Sequence, residues 1–197
     1  ILFVVIVATA IYLMLKPTKP AIAPTTNEPL SSHVITLKTN LGVIKFKTYD
    51  EDTPTTVTNF ISLASKSFYT NLSFHRVAKG FVVQGGDPLC ANPPRGQGPC
   101  GTGGPGYQFD DELNPNSIFY KEGYKKGVVA MANSGPNTNG SQFFIMLEDD
   151  PTLPHAYTIF GKVIEGQDVV DSIGQVEVDA NDRPLEPVII EEVIVGS

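Results

Sequence analysis

Short apolar segments separated by turns constrain the fold of this chain more than any other feature. Eight of them follow residue 32, and Gly, Pro and Asn are frequent in the stretches between them. They lie at 35–37, 44–47, 74–77, 81–84, 128–131, 142–147, 157–163 and 188–195. Short strands with closely spaced turn signals are typical of antiparallel barrels. The sequence therefore predicts a mainly β domain, a closed eight-stranded antiparallel β-barrel.

Two segments have helical rather than strand periodicity. Thr53-Pro54 is typical of a helix start, because Thr is a common N-cap and Pro fits the first helical position. Apolar residues then recur at helical spacing, at Val57, Phe60, Ile61, Ala64 and Phe68. A shorter pattern covers residues 167–173. We expect these two α-helices to cap the barrel.

The N-terminal 32 residues differ in kind from the rest. Residues 1–15 are almost wholly apolar and uncharged, and residues 16–32 form a Pro/Thr-rich stretch without apolar periodicity. Fifteen residues are fewer than the roughly 20 that span a bilayer, but the chain begins with Ile rather than Met. We interpret 1–15 as part of a transmembrane anchor, 16–32 as a linker and 33–197 as the folded domain. The alternative is a signal segment, since Ala8-Thr9-Ala10 resembles a cleavage site.

Both interpretations of residues 1–15 place the domain outside the cytoplasm, either membrane-anchored or secreted. The formal net charge is −7. This leaves no general excess of positive charge for a phosphate backbone, so we expect no nucleic-acid partner. We expect one monomeric domain.

Both cysteines, Cys90 and Cys100, lie in a loop rich in Gly and Pro. In an exported domain such a pair most simply forms a local disulfide. A zinc site would need further ligands, yet the three histidines are scattered along the chain, at His33, His75 and His155. A reactive thiol is the other alternative, although neither Cys has a His beside it in sequence. We predict no metal.

The chemistry-bearing residues concentrate in segments 74–87 and 131–144. Together they hold one arginine, several amide side chains and several aromatic residues, but no evident nucleophile, metal cluster or phosphate loop. Alternation along two successive strands predicts that Arg76 and Gln84 share a sheet face. The competing interpretation of Arg76 is an ordinary surface arginine. Such an inventory suits binding an apolar group and polarising an amide.

Four long motifs resemble those of the cyclophilin-type peptidyl-prolyl isomerases. They are FHRVAKGFVVQGGD at 74–87, GTGGPGYQFDDE at 101–112, MANSGPNTNGSQFFI at 131–145 and YTIFGKVIEGQDVVD at 157–171. The resemblance extends from His33 to about Val195. It implies an eight-stranded barrel with two helices, cis/trans isomerisation of X-Pro bonds, proline-containing polypeptides as partners, and no cofactor.

The same resemblance assigns site residues one by one. It places the catalytic arginine at Arg76 and the histidine beside it at His75. The proline pocket corresponds to Phe81, Val82, Phe144 and Leu153, with Tyr157 as a further substrate-binding residue, and Phe81, Gln84 and Asn133 join Arg76 in the catalytic set. Groups that hold the substrate backbone correspond to Gln84, Ala132, Asn133 and Gln142. Without the resemblance, Phe81, Phe144, Leu153 and Tyr157 would be interpreted as ordinary core residues.

Three positions depart from the family pattern. Val82 stands where many members have Met, Tyr157 where many have His, and Thr152 where the drug-sensitive members have Trp. The first two keep an apolar wall, whereas the third argues against tight cyclosporin binding.

The sequence is compatible with two alternative functions. The first is a membrane-tethered isomerase that accelerates folding of exported proteins; the second is a proline-peptide-binding or chaperone module of the same fold that does not catalyse. Because a pure binder does not require Arg76, its presence favours the enzyme.

Overall fold

A computed structural model of the chain describes residues 32–91, 95 and 97–196. Within these residues a single sheet contains nine strands. They are β1 (Val34–Thr39), β2 (Gly42–Thr48), β3 (Leu72–Ser73), β4 (Arg76–Ala78), β5 (Val82–Gly85), β6 (Val128–Met131), β7 (Phe143–Met146), β8 (Ile159–Glu165) and β9 (Ile189–Gly196). The helices are α1 (Pro54–Ser65), α2 (Ile118–Glu122) and α3 (Gln167–Ile173), with a short 3-10 helix at Pro88–Cys90.

All the strand pairs are antiparallel, and the order across the sheet is β3-β9-β1-β2-β8-β6-β7-β5-β4. The two outermost strands, β3 and β4, are consecutive in the chain. Between them Phe74 N–H donates to Val188 O and His75 N–H donates to Gln84 O, each at 2.9 Å. The segment 72–78 therefore bridges the two edges and curls the sheet into a barrel.

The predicted fold class is confirmed, but the predicted count of eight strands is wrong. Of the predicted strand 74–77, only Arg76 and Val77 lie in a strand, β4, because Phe74 and His75 carry the backbone across from the β9 side to β5. Two additional residues, Leu72 and Ser73, pair with β9. Nine strands result from this exchange of partners.

The barrel interior is filled by one side of each strand. Alternate residues point inward, such as Ile35 and Leu37 on β1 and Phe143 and Ile145 on β7. Phe60 of α1 lies at the centre of an aromatic group, with ring centroids 4.6 to 5.6 Å from those of Phe46, Tyr69, Phe143 and Phe160. The inward-pointing strand residues pack in this core, and the strand residues between them point to the outer face of the sheet.

The helices α1 and α3 form at the two predicted segments and contribute side chains to the interior core, but α1 ends at Ser65, so Phe68 lies in the turn after it rather than on the helical stripe. The start of α1 is capped differently from the prediction. Thr53 precedes the helix, but its side chain forms no capping bond; the Glu112 carboxylate accepts from Thr55 N–H and Thr56 N–H at 3.0 and 2.8 Å. A negative charge at a helix N-terminus is favourable, so Glu112 takes over the capping function.

The helix α2 was not predicted. Ser117 accepts a hydrogen bond from Phe119 N–H at its start, and Gly123 ends it with φ of 68°. The Ser and Gly signals are present, but five residues are too few for an apolar stripe.

A disulfide joins Cys90 to Cys100, as predicted. The proposed anchor at 1–15 and all but the last residue of the linker at 16–32 lie outside the described residues. Within the described ranges, no helix combines the length and hydropathy of a transmembrane span.

Candidate active site

A row of side chains crosses the outer face of the barrel where β4, β5, β7, β6 and β8 lie side by side. The register pairs Arg76 with Gln84, Gln84 with Phe144, Phe144 with Ala130, and Ala130 with Ile159. Residues directly opposite one another on paired strands share a face and lie close enough for their side chains to interact. We call this face the site face. It places a cation, an amide and an aromatic ring in line.

The apolar part of the site face is a hydrophobic cluster separate from the barrel core. Its buried members are Val82, Tyr124, Val128, Ala130, Phe144, Met146 and Ile159, against which Phe81, Ala132, Leu153 and Tyr157 pack. Tyr157 meets the Phe144 ring edge to face, with centroids 5.5 Å apart. The six apolar residues that the family resemblance assigned to substrate binding are therefore brought together by the fold.

Tyr124 fixes the position of Tyr157. The Tyr124 hydroxyl donates to Tyr157 O and accepts from Tyr157 N–H, both at 3.0 Å. Burial raises the pKa of Tyr124 to about 12, so the hydroxyl keeps the proton that it donates. Tyr124 is a supporting residue that the sequence analysis missed.

Two glutamine side chains form an ordered relay beside the apolar cluster. Gln142 Nε2 donates to Gly103 O at 2.9 Å and to Gly101 O at 3.2 Å, and Gln84 Nε2 donates to Gln142 Oε1 at 2.9 Å. Carbonyl oxygens only accept hydrogen bonds, so they fix the orientation of the first amide, and the first fixes the second. The relay turns the side-chain oxygen of Gln84, Oε1, away from Gln142.

A buried carboxylate organises the loop that begins this relay. Asp87 is fully buried and accepts from Leu89 N–H, Gly101 N–H and Gly103 N–H at 2.7, 2.7 and 2.8 Å. A Cβ at Gly103 would overlap the Asp87 carboxylate and approach Leu89 Cγ to 2.7 Å, so that position requires glycine. The disulfide partner Cys100 lies directly before Gly101, and it joins the same loop to the 3-10 helix.

A groove of about 550 Å³ lies beside the apolar cluster rather than over Arg76. Its lining includes residues 101–106, which we call the glycine loop, together with Tyr107, Asn133 and the two relay glutamines. The groove would accommodate an extended chain that runs past the site face.

Asn133 uses its side chain to hold the backbone of the protein itself. Its Nδ2 donates to Ala156 O at 2.8 Å, and its Oδ1 accepts from Gly135 N–H at 3.2 Å. Within the described part of the chain, its own backbone N–H and C=O form no hydrogen bond. The neighbouring Ala132 N–H is paired with Gln142 O at 2.9 Å. The backbone of Asn133, rather than its amide side chain, is therefore the group free to bind a peptide.

The basic residues of the site differ in exposure. Arg76 is 39% exposed, and its Nε lies 3.5 Å from Asp182 Oδ2. His75 is buried, and burial lowers its pKa more than the nearby Asp87 carboxylate raises it. The ring is therefore neutral near pH 7, and Arg76 supplies the positive charge beside Gln84.

Comparison with known proteins decides the family. The family model "Cyclophilin type peptidyl-prolyl cis-trans isomerase/CLD" matches residues 34–195. The chain belongs to the cyclophilin-type peptidyl-prolyl cis-trans isomerases. The predicted family and enzymatic activity are thereby confirmed.

The relatives of this cyclophilin are matched over nearly their full lengths. Peptidyl-prolyl cis-trans isomerase A of Mycobacterium tuberculosis is 43% identical, over 87% of this chain and 96% of that protein. Peptidyl-prolyl cis-trans isomerase ppi1 of Schizosaccharomyces pombe is 44% identical, over 78% of this chain and 92% of its own. A cyclophilin-type isomerase from Cryptosporidium parvum has a similar crystal structure, with a TM-score of 0.75 and 34% identity over 85% of this chain and 99% of that chain.

The fold of this cyclophilin places the six apolar residues in one cluster, and Gln84, Ala132, Asn133 and Gln142 along one groove. Arg76 and Gln84 are cross-strand neighbours, as alternation predicted. Supporting residues without a direct sequence signal are Asp87, Tyr124, Asp182 and the carbonyls of the glycine loop. Asp87 lies in one of the family motifs, but only the folded loop shows what its carboxylate binds.

The polarity of the relay can be tested at Gln142. In a Gln142→Glu variant, a carboxylate would face Gly101 O, Gly103 O and Asp87, all of which are acceptors. We expect this isosteric change to lower the free energy of unfolding by about 1–3 kcal/mol and to weaken peptide binding. Urea denaturation and the KM for an X-Pro peptide measure the two effects.

The matched control is Gln175→Glu, which makes the same change away from the site. It should alter the free energy of unfolding by about 0.5 kcal/mol or less. Equal stability of the Gln142→Glu variant and the wild-type protein would show that the carbonyls do not fix the relay.

Proposed function

We propose that this enzyme isomerises X-Pro bonds on the site face, with Arg76 as the catalytic residue and the apolar cluster as the proline pocket. The observation that carries the proposal is the register that places Arg76, Gln84 and Phe144 in one row. The cation at one end of the row can donate to the proline nitrogen, and the apolar wall at the other end can hold the proline ring. A related structure from Cryptosporidium parvum was determined in the presence of the dipeptide Ala-Pro.

The chemical problem is the barrier to rotation about an amide bond, about 18–20 kcal/mol, which arises because nitrogen shares its lone pair with the carbonyl. As the bond twists, the lone pair returns to the proline nitrogen, which becomes pyramidal and basic. A guanidinium that donates to this nitrogen binds the twisted state better than either planar state. Arg suits the task because it stays charged and presents fixed donors.

The apolar residues grip the proline ring. Phe81, Val82, Phe144, Leu153 and Tyr157 provide a surface with few competing donors. An apolar environment disfavours the dipolar resonance form of the planar amide. The partial C–N double bond of that resonance form is the source of the rotation barrier. Contacts with the proline ring thus hold the X-Pro bond in place beside Arg76.

The polar residues hold the peptide on one side of the rotating bond. Among the described residues, the backbone groups of Asn133 and the side-chain Oε1 of Gln84 have no hydrogen-bond partner and are available for a substrate backbone, and Gln142 keeps the Gln84 side chain oriented. With one side fixed, the other side rotates. This mechanism forms no covalent intermediate and uses no general base.

The test is isomerisation of an X-Pro peptide by the full chain, measured beside the Arg76→Ala variant. Fast turnover that depends on Arg76 supports the proposal. A folded wild-type protein that binds the peptide without accelerating its isomerisation would instead indicate the proline-binding module.

We further propose that the substrates are exported proteins and that residues 1–15 tether the enzyme to a membrane. Support comes from the apolar sequence of that segment and from the Cys90–Cys100 disulfide, since stable disulfides are typical of oxidising compartments. In cell fractions, we expect the chain to be released by detergent but not by alkaline carbonate, with both cysteines protected from alkylation. A soluble chain with two alkylated cysteines would contradict this proposal.

A further inference from the structure

We infer that Asp182 is a positioning residue that holds the guanidinium of Arg76 in the orientation required for catalysis. This inference rests on the proposed role of Arg76. Asp182 lies in the connection between α3 and β9, far from Arg76 in sequence, and outside the four motifs that carry the family resemblance.

Two contacts join Asp182 to β4. Its carboxylate Oδ2 lies 3.5 Å from Arg76 Nε, and its backbone oxygen accepts from Val77 N–H at 2.7 Å. The second contact fixes the backbone of Asp182 against the residue that follows Arg76. The carboxylate therefore reaches the guanidinium from a turn that is hydrogen-bonded to the strand that carries Arg76.

The turn that carries Asp182 is itself held in place. Asp179 Oδ1 accepts from Asn181 N–H and Arg183 N–H at 2.8 and 3.0 Å, and Asp179 N–H donates to Arg183 O at 2.8 Å. Asp182 has φ of 61°, in the left-handed region that non-glycine residues seldom occupy. Unusual backbone conformations that the surroundings enforce are concentrated at functional sites.

The atom that Asp182 contacts determines what the contact does. A guanidinium has five N–H donors, of which Nε carries one and the two terminal nitrogens carry four. Pairing at Nε leaves the terminal nitrogens available to a substrate, whereas pairing at the terminal nitrogens would occupy them. Since the group is planar, an ion pair at Nε also restrains the plane in which the other four donors lie.

Both side chains are substantially exposed, at 39% and 46%. Exposed ion pairs contribute little to folding stability. The expected consequence of losing the carboxylate is therefore a less well-oriented Arg76 in a folded protein, which lowers kcat more than it changes KM.

The experiment compares the full-length wild-type chain with Asp182→Asn, Asp182→Gly and Glu186→Gln. Asn and Gly both tolerate positive φ, so the two changes remove the charge or the whole side chain without straining the turn. Glu186 is an exposed carboxylate in the same connection and serves as the charge control. We expect about a three- to fivefold loss of kcat for both Asp182 variants, with KM within about twofold and unchanged Tm, and no loss for Glu186→Gln.

A double-mutant cycle separates positioning from other roles. In an Arg76→Ala background, Asp182→Asn should have no further effect on kcat, because nothing remains to be oriented. An equal loss in both backgrounds would overturn the inference, as would unchanged or increased kcat in the single variant; an increase would mean that Asp182 competes with substrate. If the wild type itself shows no Arg76-dependent turnover, the proposed function fails rather than this inference.

Discussion

Replacing Arg76 with Ala is expected to lower kcat/KM for X-Pro isomerisation at least tenfold while the protein stays folded. A hydrogen bond from a charged donor contributes about 1.5–3 kcal/mol, and each 1.4 kcal/mol corresponds to a factor of about ten in rate. The fold should tolerate the change because Arg76 lies on the outer face, with 39% of its side chain exposed, and its ion pair with Asp182 is exposed too. The measurement is a peptide isomerisation assay with circular dichroism as the folding check.

Two further variants sharpen the interpretation of Arg76→Ala. Arg76→Lys keeps the charge but loses the planar fork of donors, so it should recover only a small part of the activity. Arg183→Ala removes an exposed guanidinium from the turn next to Asp182 and should retain nearly full activity. If Arg76→Ala kept wild-type kcat/KM, the catalytic role of Arg76 would be refuted.

The site face was partly predictable because strand alternation is a local property. Val83 points into the barrel core, so Gln84 must point outward, and the same alternation in β4 places Arg76 beside it. Alternation does not reveal which outward residues are covered by other segments. Phe144 is an example: the sequence pattern alone predicted an ordinary core role for it, but it lies in a separate cluster on the outer face.

The other differences arise from contacts between distant parts of the chain. Glu112 caps α1 across 57 residues, and Asp182 reaches Arg76 from another turn. No local propensity encodes such contacts. The division of segment 72–78 into β3 and β4 has the same origin, since the exchange of partners depends on where β9 and β5 arrive.

Removing the carboxylate of Asp87 should have the largest effect on stability among the site residues. In Asp87→Ala, three backbone N–H groups, from Leu89, Gly101 and Gly103, lose their acceptor inside the protein. Leaving buried donors unpaired costs about 1–3 kcal/mol each, and water can reach part of the loop, so we expect a loss of about 3 kcal/mol or more. Urea denaturation of both proteins, extrapolated to zero denaturant, measures this loss.

Asp87→Ala should also affect function through the relay. Without Asp87, Gly101 and Gly103 no longer hold their carbonyls against Gln142, so the KM for an X-Pro peptide should rise while Arg76 keeps its place on β4. The control is Asp149→Ala, which deletes an exposed carboxylate that accepts from only one backbone N–H, that of Lys126, and pairs with Lys125 Nζ at 3.1 Å. The control should cost less than about 1 kcal/mol and leave KM unchanged. Similar losses in both variants would mean that the loop does not depend on its buried charge, and that the disulfide alone suffices to shape the groove.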